Sequence, residues 1–227
     1  MNVQIYLLDM TEFNEEETGL SFIETASMLV DETRRSKAER IRNPKSKRTS
    51  LGAGILLQKM ALDYYNGFRA QEMQRFSASE LVKILKKQQL YTQLPLPMQY
   101  RFGTYGKPEI VGVSWRFNLS HSGDYILLAA SEREVGADIQ QYKKGDYMKL
   151  SKRFFAQSES QLLETCENEE NRKKMYYKLW TQKEAYGKLT GQGVSKVLDL
   201  MTDKMDVDWV KIDILPGYAS AICVDKS

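Results

Sequence analysis

The sequence predicts an α+β fold made of two similar halves, and two observations favour it. The first is the order of the local patterns. A β-rich stretch, helices and short strands follow each other over residues 1–132, and the same order occurs again over residues 133–227. The second is composition, since 227 residues with 42% hydrophobic and 28% charged side chains can bury a core. The halves are expected to meet between Ser131 and Val135.

The first half is predicted to start with a buried strand and to continue with helices. Residues 3–9 are rich in β-forming side chains, whereas residues 20–42 have the pattern of one helix that stops at an Asn-Pro pair. Residues 46–65 carry a helical apolar stripe, with a serine at the start as the expected N-cap. Ser77 is predicted to cap a further helix because Glu80 follows three residues later, at capping-box spacing.

The middle of the chain predicts turns and strands, and the second half predicts helices and a final hairpin. Residues 94–112 hold three prolines and three glycines, which is typical of a linker or an exposed ligand-binding loop. Three short apolar segments within residues 114–141 predict a meander of strands. Residues 147–190 are predicted to be helical, and residues 208–224 to form a hairpin around a Pro-Gly pair.

Basic residues are concentrated in one segment of an otherwise nearly neutral chain. The formal net charge is +3, yet residues 34–48 contain eight lysines and arginines against one acid. Such a cluster predicts an anionic partner, which could be a phosphorylated small molecule, a nucleic acid or an acidic protein.

Cysteine usage and the N-terminal pattern bear on the compartment. Two cysteines are too few for a disulfide framework or a cysteine-based zinc site. The first ten residues lack the basic region of a signal peptide, and no apolar run reaches membrane-spanning length. The sequence therefore predicts a cytoplasmic protein without a membrane partner.

An aspartate interrupts an apolar strand pattern at residues 135–141. The odd-numbered residues share one face of this predicted strand, and Gly136, Asp138 and Gln140 share the other. Aspartate is depleted in strands, so its position needs a reason. It is either a solvated residue at a turn edge or a metal-binding carboxylate with Gln140 beside it.

Charged and aromatic residues share one helical face in the second half. Tyr177, Trp180, Glu184 and Lys188 follow each other at spacings of three, four and four. One interpretation is an exposed ion pair between Glu184 and Lys188. The alternative directs Glu184 to a cation and Lys188 to a phosphate.

The only histidine of the chain lies in the segment NLSHSGD at residues 118–124, between two strand patterns. We expect His121 in a tight, exposed connection. A single histidine cannot form a multi-histidine metal site, and an adjacent serine does not make a catalytic triad, which is recognised by geometry. Ser120 and His121 can both hydrogen-bond phosphate oxygens.

Five stretches, in this order, resemble the signatures of the Sfp-type 4′-phosphopantetheinyl transferases. The match spans positions from about 34 to 193 of the chain. The stretches are the basic run ending in Arg48-Thr49, YGKP at 105–108, FNLSHSG at 117–123, GADIQ at 136–140 and WTQKEAYGK at 180–188.

The resemblance implies a fold and an activity. The expected fold has two pseudo-symmetric α+β halves, with coenzyme A and Mg²⁺ in the cleft between them. The expected reaction transfers the 4′-phosphopantetheine arm to a serine of an apo acyl, peptidyl or aryl carrier protein and releases adenosine 3′,5′-bisphosphate. The resemblance also implies a monomer that has no nucleic-acid partner.

The resemblance further assigns roles to individual residues. The expected metal ligands are Asp138, Gln140 and Glu184, and the expected catalytic residues are Asp138, Glu184 and Lys188. Gln140 stands where the family usually has an acid, which predicts weaker metal binding. The residues expected to bind coenzyme A are Arg34, Lys37, Arg48, Thr49, Lys107, Ser120, His121 and Lys188.

Two alternatives stay open at this point. One is a non-catalytic protein that binds coenzyme A or a carrier protein, with a metal site weakened at Gln140. The other is a nucleic-acid-binding module built on residues 34–48, because a basic helical segment is the usual electrostatic footprint of such a module.

Overall fold

The computed structural model describes residues 2–13, 20–91 and 93–226, and within them it confirms an α+β fold. The strands are β1 (Val3–Asp9), β2 (Gln74–Ser77), β3 (Tyr100–Phe102), β4 (Pro108–Ile110), β5 (Arg116–Ser122), β6 (Tyr125–Ser131), β7 (Val135–Gln141), β8 (Val207–Val210) and β9 (Tyr218–Asp225). The helices are α1 (Phe22–Leu29), α2 (Glu32–Glu39), α3 (Pro44–Tyr65), α4 (Ala78–Gln88), α5 (Tyr147–Phe154), α6 (Gln157–Glu164) and α7 (Glu169–Thr190). In this part of the chain, no helix is both long enough and apolar enough to cross a membrane.

The helices near the N-terminus differ from the prediction in two ways. The single helix predicted over residues 20–42 is wrong, because the first helix ends at Leu29 and Asp31 caps a second, its carboxylate accepting a bond from Arg34 N at 3.0 Å. Helix α3 is capped by Asn43, which accepts from Ser46 N at 3.0 Å, so the cap is not Ser46 itself. Proline suits the first helical position, because an N–H at that position would have no acceptor within the helix and proline has no N–H.

The strands form two larger sheets and one small hairpin. The first sheet has the order β2-β1-β6-β5, in which only β1 and β2 are parallel, and the second has the order β7-β9-β8. The predicted meander is therefore wrong at its third strand, since β7 leaves the first sheet and pairs with β9. The stretch 94–112 contains the hairpin of β3 and β4.

The core is arranged in four layers, from helices through two sheets to a helix. One face of the first sheet packs on helices α1 to α4, and its other face, with Leu7 and Leu127, packs on the second sheet. The odd-numbered residues of β7 (Val135, Ala137 and Ile139) fill this interface between the sheets. This arrangement confirms the face alternation predicted for β7.

Helix α7 covers the outer face of the second sheet. Ala185 of α7 packs against Ala221 and Cys223 of β9. Along the same helix, Tyr176 packs against α5 and α6 in an aromatic cluster, where its ring stacks on Phe155 with centroids 5.2 Å apart. The helix that carries Glu184 is thus fixed by packing along most of its length.

A buried ion pair anchors α7 to α6. The Lys183 ammonium lies 2.7 Å from Glu159 Oε2, and the two side chains are 0% and 4% exposed. Lys183 Nζ also donates to Leu200 O, and Glu159 Oε1 accepts a bond from Thr202 N at 2.9 Å. Burial lowers the pKa of Lys183, and the Glu159 carboxylate opposes this shift.

We expect Glu159→Gln to lower the free energy of unfolding by about 3–5 kcal/mol, because it leaves a buried ammonium without its counter-charge. The control is Glu164→Gln, which breaks the exposed pair with Lys152 (side chains 61% and 49% exposed) and should cost at most about 1 kcal/mol. Urea unfolding at neutral pH measures both. Equal losses in the two variants would show that the buried pair contributes no more to the free energy of unfolding than the exposed pair does.

Candidate active site

Strand β7 and helix α7 approach each other so closely that only glycine fits at the contact. A Cβ placed on Gly136 would lie 1.9 Å from Ala185 O, a backbone atom of α7. Gly136, Asp138 and Gln140 alternate with the residues of the inter-sheet core, so they face this helix. The contact brings Asp138 of the strand close to Glu184 of the helix, whose carboxyl pKa is raised by burial and then by the Asp138 charge.

The Asp138 carboxylate is buried and has three partners. Its Oδ1 accepts from Ser120 Oγ at 2.7 Å and from Lys188 Nζ at 2.7 Å, and its Oδ2 accepts from Gln140 Nε2 at 3.2 Å. The aspartate is 1% exposed, so the solvated-edge interpretation does not hold. Among the described residues, the ion pair of Lys188 is with Asp138, and the predicted pair with Glu184 is replaced by it.

The electrostatics of the site show an excess of negative charge. Burial raises the pKa of Glu184 and the Asp138 charge raises it further, while Lys188 lowers it. The pKa of His121 is lowered, first by desolvation and then by the Lys188 ammonium, with Asp138 opposing. Among the described residues, the Lys188 ammonium pairs with Asp138 and also lowers the pKa of Glu184, so one cation acts on two carboxylates.

The donor set suits a hard divalent cation. Mg²⁺ prefers oxygen ligands and is usually held by one or two carboxylates, with substrate phosphates and water completing its shell. Asp138, Glu184 and the Gln140 amide oxygen provide such donors. Over residues 2–13, 20–91 and 93–226, no group of three or more His, Cys, Asp or Glu side chains could hold a metal ion.

The histidine segment lies in a strand, so the prediction of an exposed connection for Ser120 to Ser122 is wrong. The hairpin pairing of β5 and β6 continues up to Ser122 opposite Tyr125, and only two residues make the turn. Gly123 has a φ of +60°, the left-handed value that such a turn requires. His121 is exposed beside this turn, whereas Ser120 is buried against Asp138.

Strand β5 presents a row of polar side chains to the edge of β7, a feature that the sequence reasoning missed. Backbone N–H groups of alternate β7 residues donate to alternate β5 side chains. The bonds are Ala137 N to Asn118 Oδ1 (3.2 Å), Ile139 N to Ser120 Oγ (3.3 Å) and Gln141 N to Ser122 Oγ (3.0 Å). The period-two spacing of these polar residues in NLSHS was the available signal.

The predicted anion-binding residues of the first half line two clefts beside the β5–β6 hairpin. Arg34 and Lys37 line a cleft of ≈ 260 Å³ that includes Asn118. Arg48 and Thr49 line another cleft, of ≈ 450 Å³, which includes the turn at residues 123–124. The structure thus brings these residues to the same hairpin as His121, in separate clefts.

Lys107 is held by protein groups. Its ammonium lies 2.7 Å from Glu134 Oε2 and donates to Val135 O and Leu189 O, each at 3.1 Å. The side chain is 14% exposed. Leu189 lies in the last turn of α7, where carbonyls lack intrahelical partners and a cation is favourable. The bonds of Lys107 therefore join the β3–β4 hairpin to β7 and α7.

Comparison with known proteins gives one consistent result. The family model described as the 4′-phosphopantetheinyl transferase superfamily matches residues 134–216, the range that holds Asp138 and Glu184. A Synechocystis sp. protein assigned as a 4′-phosphopantetheinyl transferase is 44% identical over 154 residues, which cover 65% of this chain and 61% of that protein.

Two further relatives carry the same activity in their names. The 4′-phosphopantetheinyl transferase Sfp of Bacillus subtilis is 32% identical over 54% of this chain and 62% of its own length. The 4′-phosphopantetheinyl transferase AcpT of Salmonella typhi is 33% identical over 57% of this chain and 68% of its own length. The chain thus matches less than two thirds of the Synechocystis protein and of Sfp, and slightly more than two thirds of AcpT.

Proposed function

Because the chain belongs to the 4′-phosphopantetheinyl transferase superfamily, we propose that it transfers the 4′-phosphopantetheine arm of coenzyme A to a serine of an apo acyl, peptidyl or aryl carrier protein. The carrier serine oxygen would form a bond to the β-phosphorus of coenzyme A. The bond from that phosphorus to the bridging oxygen would break, releasing adenosine 3′,5′-bisphosphate. The observation that carries the proposal is the meeting of Asp138, Glu184 and Lys188, from distant parts of the chain, at one charged site.

The proposed roles follow from charge and position. Asp138, Glu184 and Gln140 would hold Mg²⁺, which when bound supplies the positive charge that a diphosphate needs in order to accept an oxygen nucleophile. Glu184 is also the proposed acceptor of the serine proton, directly or through water. Lys188, whose side chain is 29% exposed, can turn from Asp138 to a phosphate oxygen.

The anionic ends of coenzyme A would be bound by the first half. Arg48 and Thr49, in the cleft beside the hairpin turn, are the proposed partners of the 3′-phosphate together with His121. Arg34 and Lys37 line the neighbouring cleft. Ser120 and Lys107 were predicted to bind phosphates, and both bond protein groups here. For the predicted contact with coenzyme A, each side chain would have to break its bond to the protein and bond a phosphate oxygen instead.

The direct test incubates the protein with coenzyme A, Mg²⁺ and a panel of apo carrier proteins, followed by mass spectrometry of each carrier. A mass gain of one phosphopantetheine arm, together with release of adenosine 3′,5′-bisphosphate, supports the proposal. Coenzyme A binding without a mass gain on any carrier would favour the non-catalytic alternative. Salt-sensitive binding of DNA or RNA without coenzyme A binding would favour the nucleic-acid alternative.

The proposal includes a monomer that acts in the cytoplasm without a nucleic-acid or membrane partner. Sedimentation of the purified protein with and without coenzyme A tests the oligomeric state. A stable dimer under both conditions would contradict that part of the proposal.

Gln140→Glu is expected to strengthen Mg²⁺ binding, because it adds a charged oxygen ligand beside Asp138. The Mg²⁺ concentration for half-maximal transfer should fall on the order of tenfold. Without metal, the new carboxylate replaces the amide that now donates to Asp138 Oδ2, so the variant should have a lower melting temperature than wild type. Addition of Mg²⁺ should raise the melting temperature of the variant more than that of wild type.

Gln141→Glu is the matched control for this variant, since it makes the same charge change on the next residue, which lies on the opposite face of β7. It should leave the Mg²⁺ dependence unchanged. If Gln140→Glu behaves like Gln141→Glu, residue 140 is not beside the metal.

A further inference from the structure

The outer edge of β7 is capped by side chains. Within the part of the chain that the structure describes, β7 is an edge strand with β9 as its one neighbour, so every second residue turns its N–H and C=O away from the second sheet. Along this edge, Val135 O accepts from Lys107, and Ala137 O accepts from Lys188 Nζ at 3.2 Å. The N–H groups of residues 137, 139 and 141 donate to the row of Asn118, Ser120 and Ser122 described above.

The row joins two edge strands that do not form a ladder. β5 is the last strand of the first sheet, and its three polar side chains are 8%, 6% and 8% exposed. A direct backbone ladder would fix the strands about 4.8 Å apart, which leaves no room for side chains between them. Side chains of this length hold the strands apart, and they also satisfy amides that would otherwise be buried without a partner.

We propose that Asn118 and Ser122 are positioning residues for the metal-binding carboxylate. This inference rests on the proposed function. Asp138 lies between Ala137 and Ile139, two residues whose N–H groups are bound by the row, and Ser120 bonds both Ile139 N and Asp138 Oδ1. The row sets the register of β7 against β5, and therefore the place of Asp138 relative to His121 and the clefts of the first half.

Ser122 gives the sharper test, because it lines neither cleft. In Ser122→Ala, the Gln141 amide should exchange faster with solvent, and the Mg²⁺ concentration for half-maximal transfer should rise about tenfold. Binding of coenzyme A without Mg²⁺ should stay within about twofold of wild type. Ser122→Thr keeps the hydroxyl and should restore both amide protection and Mg²⁺ dependence.

The matched control is Gln58→Ala, which removes a buried side chain that donates to Leu96 O at 3.0 Å and accepts from Leu96 N at 2.7 Å. It should lower stability and leave the Mg²⁺ dependence unchanged. A Ser122→Ala protein that loses stability but keeps the wild-type Mg²⁺ dependence would overturn the positioning role.

The two proposals fail in different ways. If the wild-type protein transfers no arm to any carrier, the proposed function fails. The positioning role is then tested by calorimetry, which measures how much Mg²⁺ increases the affinity of each protein for coenzyme A. A smaller gain in Ser122→Ala than in wild type supports the role, and an equal gain overturns it.

Discussion

Asp138→Ala is expected to abolish measurable transfer of phosphopantetheine while the fold is kept. The substitution removes a buried carboxylate proposed to hold the metal, and loss of one such electrostatic partner costs on the order of 10²–10³-fold in rate. The fold should survive because the Lys188 side chain is 29% exposed and can reach solvent once its partner is gone. Initial rates at saturating coenzyme A and Mg²⁺, with a thermal melt of each variant, measure both expectations.

Glu184→Gln should cause a loss of the same order, since it removes the second carboxylate and the proposed proton acceptor together. Glu164→Gln, on the exposed surface of α6, is the control and should keep the wild-type rate. A rate close to wild type in the variant at 138 or 184 would remove that residue from the proposed metal ligands. Loss of the cooperative melt would instead mean that the residue is needed for folding.

Gly136→Ala is expected to separate the two carboxylates without touching either of them. The added methyl would lie 1.9 Å from Ala185 O, a backbone atom, so β7 or α7 must move. Overpacking of this kind costs about 1–3 kcal/mol of stability, and a displacement of about 1 Å at a reacting centre can cost about 10²-fold in rate. Transfer should therefore fall by about that factor.

Gly145→Ala is the matched control, because the nearest atom to its added methyl, Tyr147 Cε1, is at an ordinary 3.6 Å. Urea unfolding and initial rates should show little change in this variant. If Gly136→Ala were as stable and as active as Gly145→Ala, the described contact between β7 and α7 would be wrong.

Local patterns predicted the features that depend on local geometry. The Ser77 cap is confirmed, with Glu80 N donating to its hydroxyl at 3.1 Å, because an N-cap and the amide that it bonds lie within four residues. The faces of β7 are confirmed because side chains alternate along any strand, whatever its neighbours. The proximity of Asp138 and Glu184 followed from family resemblance and from no pattern within the chain.

Features that depend on distant parts of the chain were not predictable in this way. The apolar segment of β7 has the same pattern whether it extends the first sheet or pairs with β9. Lys107 has the sequence context of an exposed turn, and only the fold reveals that Glu134 and the end of α7 hold its ammonium. The break at Asp31 had a recognisable capping residue, but the helical periodicity on both sides concealed it.

The place of β9 sets the order in which the site can be assembled during synthesis. Among the described strands this one comes last, yet it is the middle strand of its sheet and the one that pairs with β7. All residues that line the two basic clefts are synthesised before Tyr218–Asp225, and until then the strand that carries Asp138 lacks its β9 partner. Shortening the chain ahead of Tyr218 should therefore leave the first sheet's elements intact and prevent the two carboxylates from meeting.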